Sequence, residues 1–469
     1  MSVLELDIST SPEAVFRANG GGSGAFWFDG PADGAATFMG FPCTAQLLLR
    51  ADGVAVMADA RGVREERRDV LGAIERFVAE GRAPSAQAPH TVGFFAYDLI
   101  ALLEPHVRPR RDDTATLPLA WLARHDAVVE VPRRAGVPGA PCRVVRVHAT
   151  EAAAAERCAQ LVRRADAAAR RTPPPARTAV QILEAPRADR HVHAVRRALD
   201  YVAAGDVYQV NLAQRFRVRS DRPPFEAFLR LRAAQPVPFA AYLDCGDFSV
   251  LCGSPERFLR VQGATIETEP IKGTRPRGAD DAADRALHAA LCADAKERAE
   301  HVMVVDLERN DLGRVCATGS VHVPSLMRVE SFATLHHMVS TVRGTLRPDV
   351  GLADLLRATF PGGSITGAPK IRAAQVIAEL EDAPREIYTG ALFRFRDARD
   401  FDSAIAIRTA VARDGVYTYH AGGGIVADSD PLREHRECLL KAAPFLRALD
   451  LEPSDVDDAT RVDEDRASA

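Results

Sequence analysis

Residues 254–278 read SPERFLRVQGATIETEPIKGTRPRG, and the fold class turns on how this run folds. Two strand-like stretches flank Gly263, which predicts a hairpin reversing there. Pairing across it sets Glu256 opposite about residue 271, so Glu256 and Lys272 come close in space. An acid beside a lysine can move a proton and make a bond, if burial lowers the lysine pKa. A cross-strand ion pair on a solvated face fits the same spacing. After the second strand the run enters a glycine turn with Lys272 in it. Lysine is scarce here: of 60 Lys and Arg residues only four are lysine, at positions 272, 296, 370 and 441.

Outward from this run, 469 residues suffice for one large or two to three ordinary domains. A formal charge of −4 offers no footprint for nucleic acid or an anionic membrane. The start, MSVLELDIST, lacks the basic and apolar regions of a signal peptide, and no apolar run approaches a membrane span. The eight cysteines are scattered without a CxxC pair, as expected of reduced thiols in a cytoplasmic protein. TVGFFAYDLIALLE (91–104) predicts a strand leading into a helix, and 151–170 predicts a helix. RRTPPPARTA (170–179) is the best linker. The expected organisation is a domain over 1–178, a denser catalytic domain over 179–450 and an acidic, disordered tail over 451–469.

Four further motifs carry chemistry. AKERAEHVMVVDLERNDLG (295–313) predicts a helix with Glu297 and Glu300 on one face, and PLREHRECLLK (431–441) repeats the spacing in Glu434 and Glu437. Two like-charged pairs suit a hard divalent cation such as Mg²⁺. Surface glutamates balanced by Arg298, Arg433 and Arg436 suit the same pattern. FPGGSITGAPKIRAAQVIAELE (360–381) predicts a loop opening a helix near Pro369, and YHAGGGIVADS (419–429) predicts a strand breaking into glycines. Exposed backbone N–H groups in such loops bind anions, and neither loop has a nucleotide-binding pattern. AIAIRTA (404–410) predicts a strand with Arg408 in an apolar setting, which calls for a carboxylate from the protein or a substrate.

SPERF, EPIKGTRPRG, ERAEHVMVVDLERNDLGRV, LHHMVSTVRGTL, FPGGSITGAPKIRA and AGGGIVADS, in this order over about 200–441, resemble the chorismate-utilising enzymes. The first third resembles them more loosely, chiefly through GFFAYDL. The residue pattern alone says mixed α and β. The resemblance implies an α/β (α+β) fold: a large sandwich of antiparallel sheets flanked by helices.

Most of that family is similar to PIAGT where this chain has PIKGT, and the lysine resembles the aminodeoxychorismate synthase branch. The resemblance implies that Lys272 attacks C2 of chorismate and expels the C4 hydroxyl, with Glu256 as general acid/base. Ammonia then adds at C4 and the lysine leaves C2. Gln209, in GDVYQVNLAQRF (205–216), stands where water-adding relatives carry a lysine. Glu300 and Glu437 resemble Mg²⁺ ligands, with Glu297 and Glu434 completing the acidic shell. Tyr388 and Arg408 resemble the pair that holds the enolpyruvyl carboxylate. Gly422, Gly423 and Lys441 resemble ring-carboxylate contacts, and His337 a pocket histidine near C4. Thr274, Ser364 and Thr366 lie in motifs expected to line the pocket. All four lysines fall on motif positions. The alternative within the family is anthranilate synthase component I, against which Lys272 and the missing LLES-type segment argue. No glutaminase elbow is evident, since VLCGS (250–254) lacks its first glycine, so the resemblance implies ammonia from a separate class I glutamine amidotransferase.

Overall fold

The computed structural model describes residues 2–19, 21–30, 36–110, 117–132, 144–169, 179–332 and 335–457. The hairpin is present: Arg257–Gln262 pairs antiparallel with Thr265–Glu269, and Gly263 turns with φ +62°. Such a φ is easy only without a Cβ. The hairpin belongs to one of two twelve-stranded sheets. From its edge this sheet runs Ile271–Pro276, Leu335–Thr345, Thr265–Glu269, Arg257–Gln262, Asp400–Ile405, Ala391–Asp397, Thr91–Phe95, and on to Gly62–Glu66. The other sheet holds Phe26–Phe28, Phe239–Asp244, Ser249–Ser254, Thr409–Arg413, Val416–Ile425 and Gln209–Ser220 in consecutive order.

The sheets face one another across Phe26, Phe28, Phe94, Trp121, Val250 and Leu392. Their outer faces carry helices. Trp27, between Phe26 and Phe28, packs outward with Phe16, Phe228 and Leu446. Phe95, next to Phe94, packs outward with Ile74, Val305 and Leu356. Successive residues of a strand point to opposite faces, so strands covered on both sides need continuous apolar runs such as FWF and TVGFF. The expected sandwich of antiparallel sheets flanked by helices is the observed fold.

The segments 1–178 and 179–450 are not separate sheets. Phe26–Phe28 pairs with Phe239–Asp244, and Thr91–Phe95 pairs with Ala391–Asp397. The physical reason is that these short, fully buried strands need a neighbour on each side. The linker expected at 170–179 lies, over 170–178, outside the described residues. The tail expected to be disordered from 451 begins as ordered chain: residues 453–457 are helical, and Val456 is buried in the outer core. Its remainder, 458–469, lies outside the described residues. No helix among the described residues is long and apolar enough to cross a membrane.

Two local expectations change. AIAIRTA is not one strand: the chain leaves one sheet at Ile405 and enters the other at Thr409. Arg408 sits on this crossing with φ +53°. The strand Val416–Ile425 does not break at its glycines but runs through Gly422–Gly424, paired with Asn211–Ala213.

Candidate active site

Glu256 follows the strand Ser249–Ser254, and its carboxylate turns inward, where it is buried. It accepts from the Ser364 hydroxyl (2.7 Å) and from the Ile271 N–H (3.4 Å), close to the pairing expected from the hairpin. Burial pushes its pKa up to about 7, against the opposing pull of the Ser364 hydroxyl and the Lys272 charge. A carboxyl group in this state can carry a proton at neutral pH and release it.

Lys272 lies on Ile271–Pro276, which continues the line of Thr265–Glu269 along the strand Leu335–Thr345. The register slips between Lys272 and Thr274, and Gly273, with φ +78°, forms the bulge. Bulges re-aim side chains, and this one follows directly on the lysine. Lys272 keeps part of its surface accessible. Burial lowers its pKa from the usual lysine value, partly opposed by Glu300 and Glu256. A depressed pKa supplies free amine, which a guanidinium would not.

The glycine strand forms the wall opposite the lysine. A Cβ at Gly424 would stand 3.0 Å from Gln209 Nε2 and 3.3 Å from Lys272 Nζ. At Gly423 it would meet Glu434 Oε2 at 3.0 Å and Lys441 Nζ at 3.6 Å. At Gly422 it would run into the Leu212 carbonyl oxygen at 2.4 Å. These glycines are needed for close approach. Gln209 is 1% exposed, and neither atom of its carboxamide has a protein partner. Buried amides are normally paired, so an unpaired one beside a candidate nucleophile marks a ligand-facing position.

The two glutamate helices, Ala295–Gly313 and Pro431–Ala448, bring their acids toward this wall. Glu297 pairs with Arg275 (3.4 Å), Glu300 with Lys296 (3.9 Å) and Glu437 with Lys441 (2.6 Å), while Glu434 accepts from Ser429 (2.7 Å). None of the arginines considered from sequence, Arg298, Arg433 and Arg436, is the partner. Burial raises the pKa of Glu300, with Glu297 and Glu434 adding to the rise. Burial also raises Glu434, and Glu437 adds to that. At Glu437 burial is outweighed by Lys441, and its pKa falls. Like charges therefore face one another across the two helices. Among the described residues no three acidic, histidine or cysteine side chains converge as a ready metal cage. The donor set itself, four carboxylate groups drawn together against their mutual repulsion, suits a hard cation.

Tyr388 is buried, stacked on His420 with ring centroids 5.3 Å apart, and burial raises its pKa. Arg408 donates to the Lys441 carbonyl (2.6 Å) rather than to a carboxylate, and Lys441 Nζ donates to the Gly422 carbonyl (2.8 Å). His337 shares a 2.9 Å hydrogen bond with the Thr274 hydroxyl. Burial and the nearby Arg408 charge depress His337 to about 4, so it is neutral at physiological pH. Thr366 donates its hydroxyl to the Gly362 carbonyl (2.9 Å) and so braces the loop.

Sequence reasoning missed Arg385, which lies over the rings of Tyr97 (4.9 Å) and Tyr388 (5.6 Å) and donates to the Ile365 and Asn211 carbonyls. It also missed the carboxyl groups of Glu308 and Asp311, although ERND at 308–311 and the isolated Lys370 were visible. Cys252 of VLCGS packs between the sheets, and burial pushes its thiol up to about 11.

The sequence profile of the chorismate binding enzymes matches residues 25–447. The chain belongs to that family. Over 250 residues it is 51% identical to an aminodeoxychorismate synthase of Streptomyces pristinaespiralis, covering 53% of this chain and 35% of that protein. Over 257 residues it is 47% identical to an anthranilate synthase component 1 of Aquifex aeolicus, covering 55% of this chain and 52% of that one. The matched stretch thus spans about a third to a half of these relatives. The crystal structure of anthranilate synthase component I from Streptococcus pneumoniae superposes with TM-score 0.72 at 29% identity, covering 88% of this chain and 92% of that one.

Proposed function

We propose that this chorismate-binding enzyme is an aminodeoxychorismate synthase component I. It exchanges the C4 hydroxyl of chorismate for an amino group, giving 4-amino-4-deoxychorismate for 4-aminobenzoate and folate synthesis. The observation that carries this reading is the half-enclosed Lys272 amine, depressed in pKa, beside a buried carboxyl group with a pKa near 7. The Lys272 nitrogen forms a bond to C2, both ring double bonds shift by one position toward C4, and the C4–O bond breaks. Glu256 gives its proton to the departing hydroxyl, which leaves as water. Ammonia then bonds to C4 and returns a proton to Glu256, both double bonds shift back, and the C2–N bond to Lys272 breaks. The net exchange is ammonia for water.

Tyr388 and Arg408 hold the enolpyruvyl carboxylate. Lys441 and the Gly422–Gly423 backbone hold the ring carboxylate, neutral His337 faces the C4 end, and Gln209 lies beside the Lys272 amine. Mg²⁺ would be held by Glu300 and Glu437, with Glu297 and Glu434 around it. When bound it supplies positive charge for the ring carboxylate. Cys252 is a core thiol, which supports ammonia arriving from a separate glutaminase subunit. Anthranilate synthase remains the second reading, because relatives with that name are nearly as similar.

Lys272→Ala tests the proposal. Its 4-amination should fall by at least ~10³-fold with chorismate binding retained, as for loss of a covalent nucleophile. Lys272→Arg should be equally inactive. Undiminished amination by either would remove the covalent step.

A further inference from the structure

Glu308 has no part in the steps above, yet it is 3% exposed and lies just behind the catalytic acid. Its Oε1 accepts the N–H of Gly363 at 3.1 Å. The next residue, Ser364, donates to Glu256 Oε1 at 2.7 Å. The helix packs directly on Gly363: a Cβ there would lie 2.4 Å from Leu307 Cδ2 and 3.2 Å from Glu308 Oε1. From the other side the loop is braced by Thr366, whose hydroxyl holds the Gly362 carbonyl at 2.9 Å and whose N–H reaches the Gly363 carbonyl at 3.3 Å.

We infer that Glu308 is a positioning residue for Glu256, acting through Gly363 to fix the Ser364 hydroxyl on the catalytic acid. The inference rests on the reading of Glu256 as that acid. The charges around Glu308 suit the role. Asp311, one turn along the same helix, is ion-paired with Lys370, which also donates to the Thr359 carbonyl (2.8 Å). Lys370 thus neutralises Asp311, whose other charged neighbour is Arg314. Burial first, and Asp311 second, raise the proton affinity of Glu308, and Glu256 pushes the same way while Lys370 opposes. Burial therefore favours the protonated form of Glu308, whose carbonyl oxygen accepts from Gly363. A neutral acceptor grips the loop without adding a second negative charge behind Glu256.

The test is amination of chorismate by the full chain with an ammonium salt, at fixed free ammonia, across pH. Glu308→Gln keeps the acceptor oxygen and should stay within about twofold of wild type. Glu308→Met removes it and should lower kcat roughly tenfold, with KM for chorismate little changed. The Ser364 hydroxyl favours ionised Glu256, so losing its placement raises the Glu256 pKa. The acid-side limb of the profile should then move up in Glu308→Met as it does in Ser364→Ala. The double variant should be no worse than Ser364→Ala alone. A wild-type kcat and limb in Glu308→Met, additive losses, or equal damage in Glu308→Gln would overturn the inference. If Glu308→Met does not fold, Gly363→Ala displaces the same loop and should reproduce the loss and the limb shift; a wild-type profile there also overturns it. Glu256→Gln run in parallel separates the two readings. If it stays active, the assignment of the acid falls and the inference with it. If it is inactive while Glu308→Met is normal, only the inference falls.

Discussion

At the scale of the residue, the chemistry rests on two pKa values drawn toward one another. Burial lifts Glu256 to about 7 and lowers Lys272 from its usual range. The reactive form pairs free amine with protonated acid. Taking the lysine as the weaker acid of the two, kcat/KM should be bell-shaped. Its ascending limb should lie near the Glu256 value, and its descending limb near the lowered Lys272 value. Below the first limb the lysine takes up protons with no compensating gain at Glu256; above the second Glu256 loses its proton with no gain in amine. Profiles at fixed free ammonia check this, and an ascending limb near 4.5 in place of 7 would contradict it. This pair was legible in the sequence because hairpin register is local: Gly263 fixes which residues lie opposite. The resemblance placed Ser364 in the pocket, but its hydrogen bond to Glu256 was not legible. Ser364 is 108 positions from Glu256, and no spacing rule reaches that far. Arg408 was misread as a mid-strand residue because nothing local announces its left-handed backbone at the crossing between sheets.

At the scale of the element, helices were read closely and the glycine run was not. The helix expected over 295–313 is Ala295–Gly313, since its length and spacing are properties of one segment. Gly422–Gly424 suggested a broken strand. They are regular strand, and what their missing side chains provide is room for groups from other elements. The three glycines should therefore differ on substitution. Gly422→Ala sets a Cβ against the Leu212 backbone oxygen and should cost ~2–4 kcal/mol of stability, read by denaturant unfolding. Gly424→Ala meets only the ends of Gln209 and Lys272, which can yield. It should cost less than ~1 kcal/mol in stability but lower amination about tenfold or more by displacing the amine. Equal stability losses with unchanged amination would contradict this.

At the scale of the whole molecule, strand pairing joins what the sequence divided. Composition marked a proline-rich break near 170–179, but pairing between Phe26–Phe28 and Phe239–Asp244 is non-local and leaves no compositional trace. A fragment of residues 179–457 loses one of the two strand partners of Phe239–Asp244 and one of those of Ala391–Asp397. It should show no cooperative unfolding transition by circular dichroism, and a sharp one would contradict the shared-sheet account. The resemblance motifs were legible because they cluster where the sheets, the glutamate helices and the 360–369 loop meet. The most direct test of the central claim is the mass of the product formed by the purified chain from chorismate, Mg²⁺ and an ammonium salt at mildly alkaline pH. The account predicts a product that keeps the enolpyruvyl group and gives 4-aminobenzoate only after a separate lyase is added. Fluorescent 2-aminobenzoate with free pyruvate would contradict it and make the chain an anthranilate synthase.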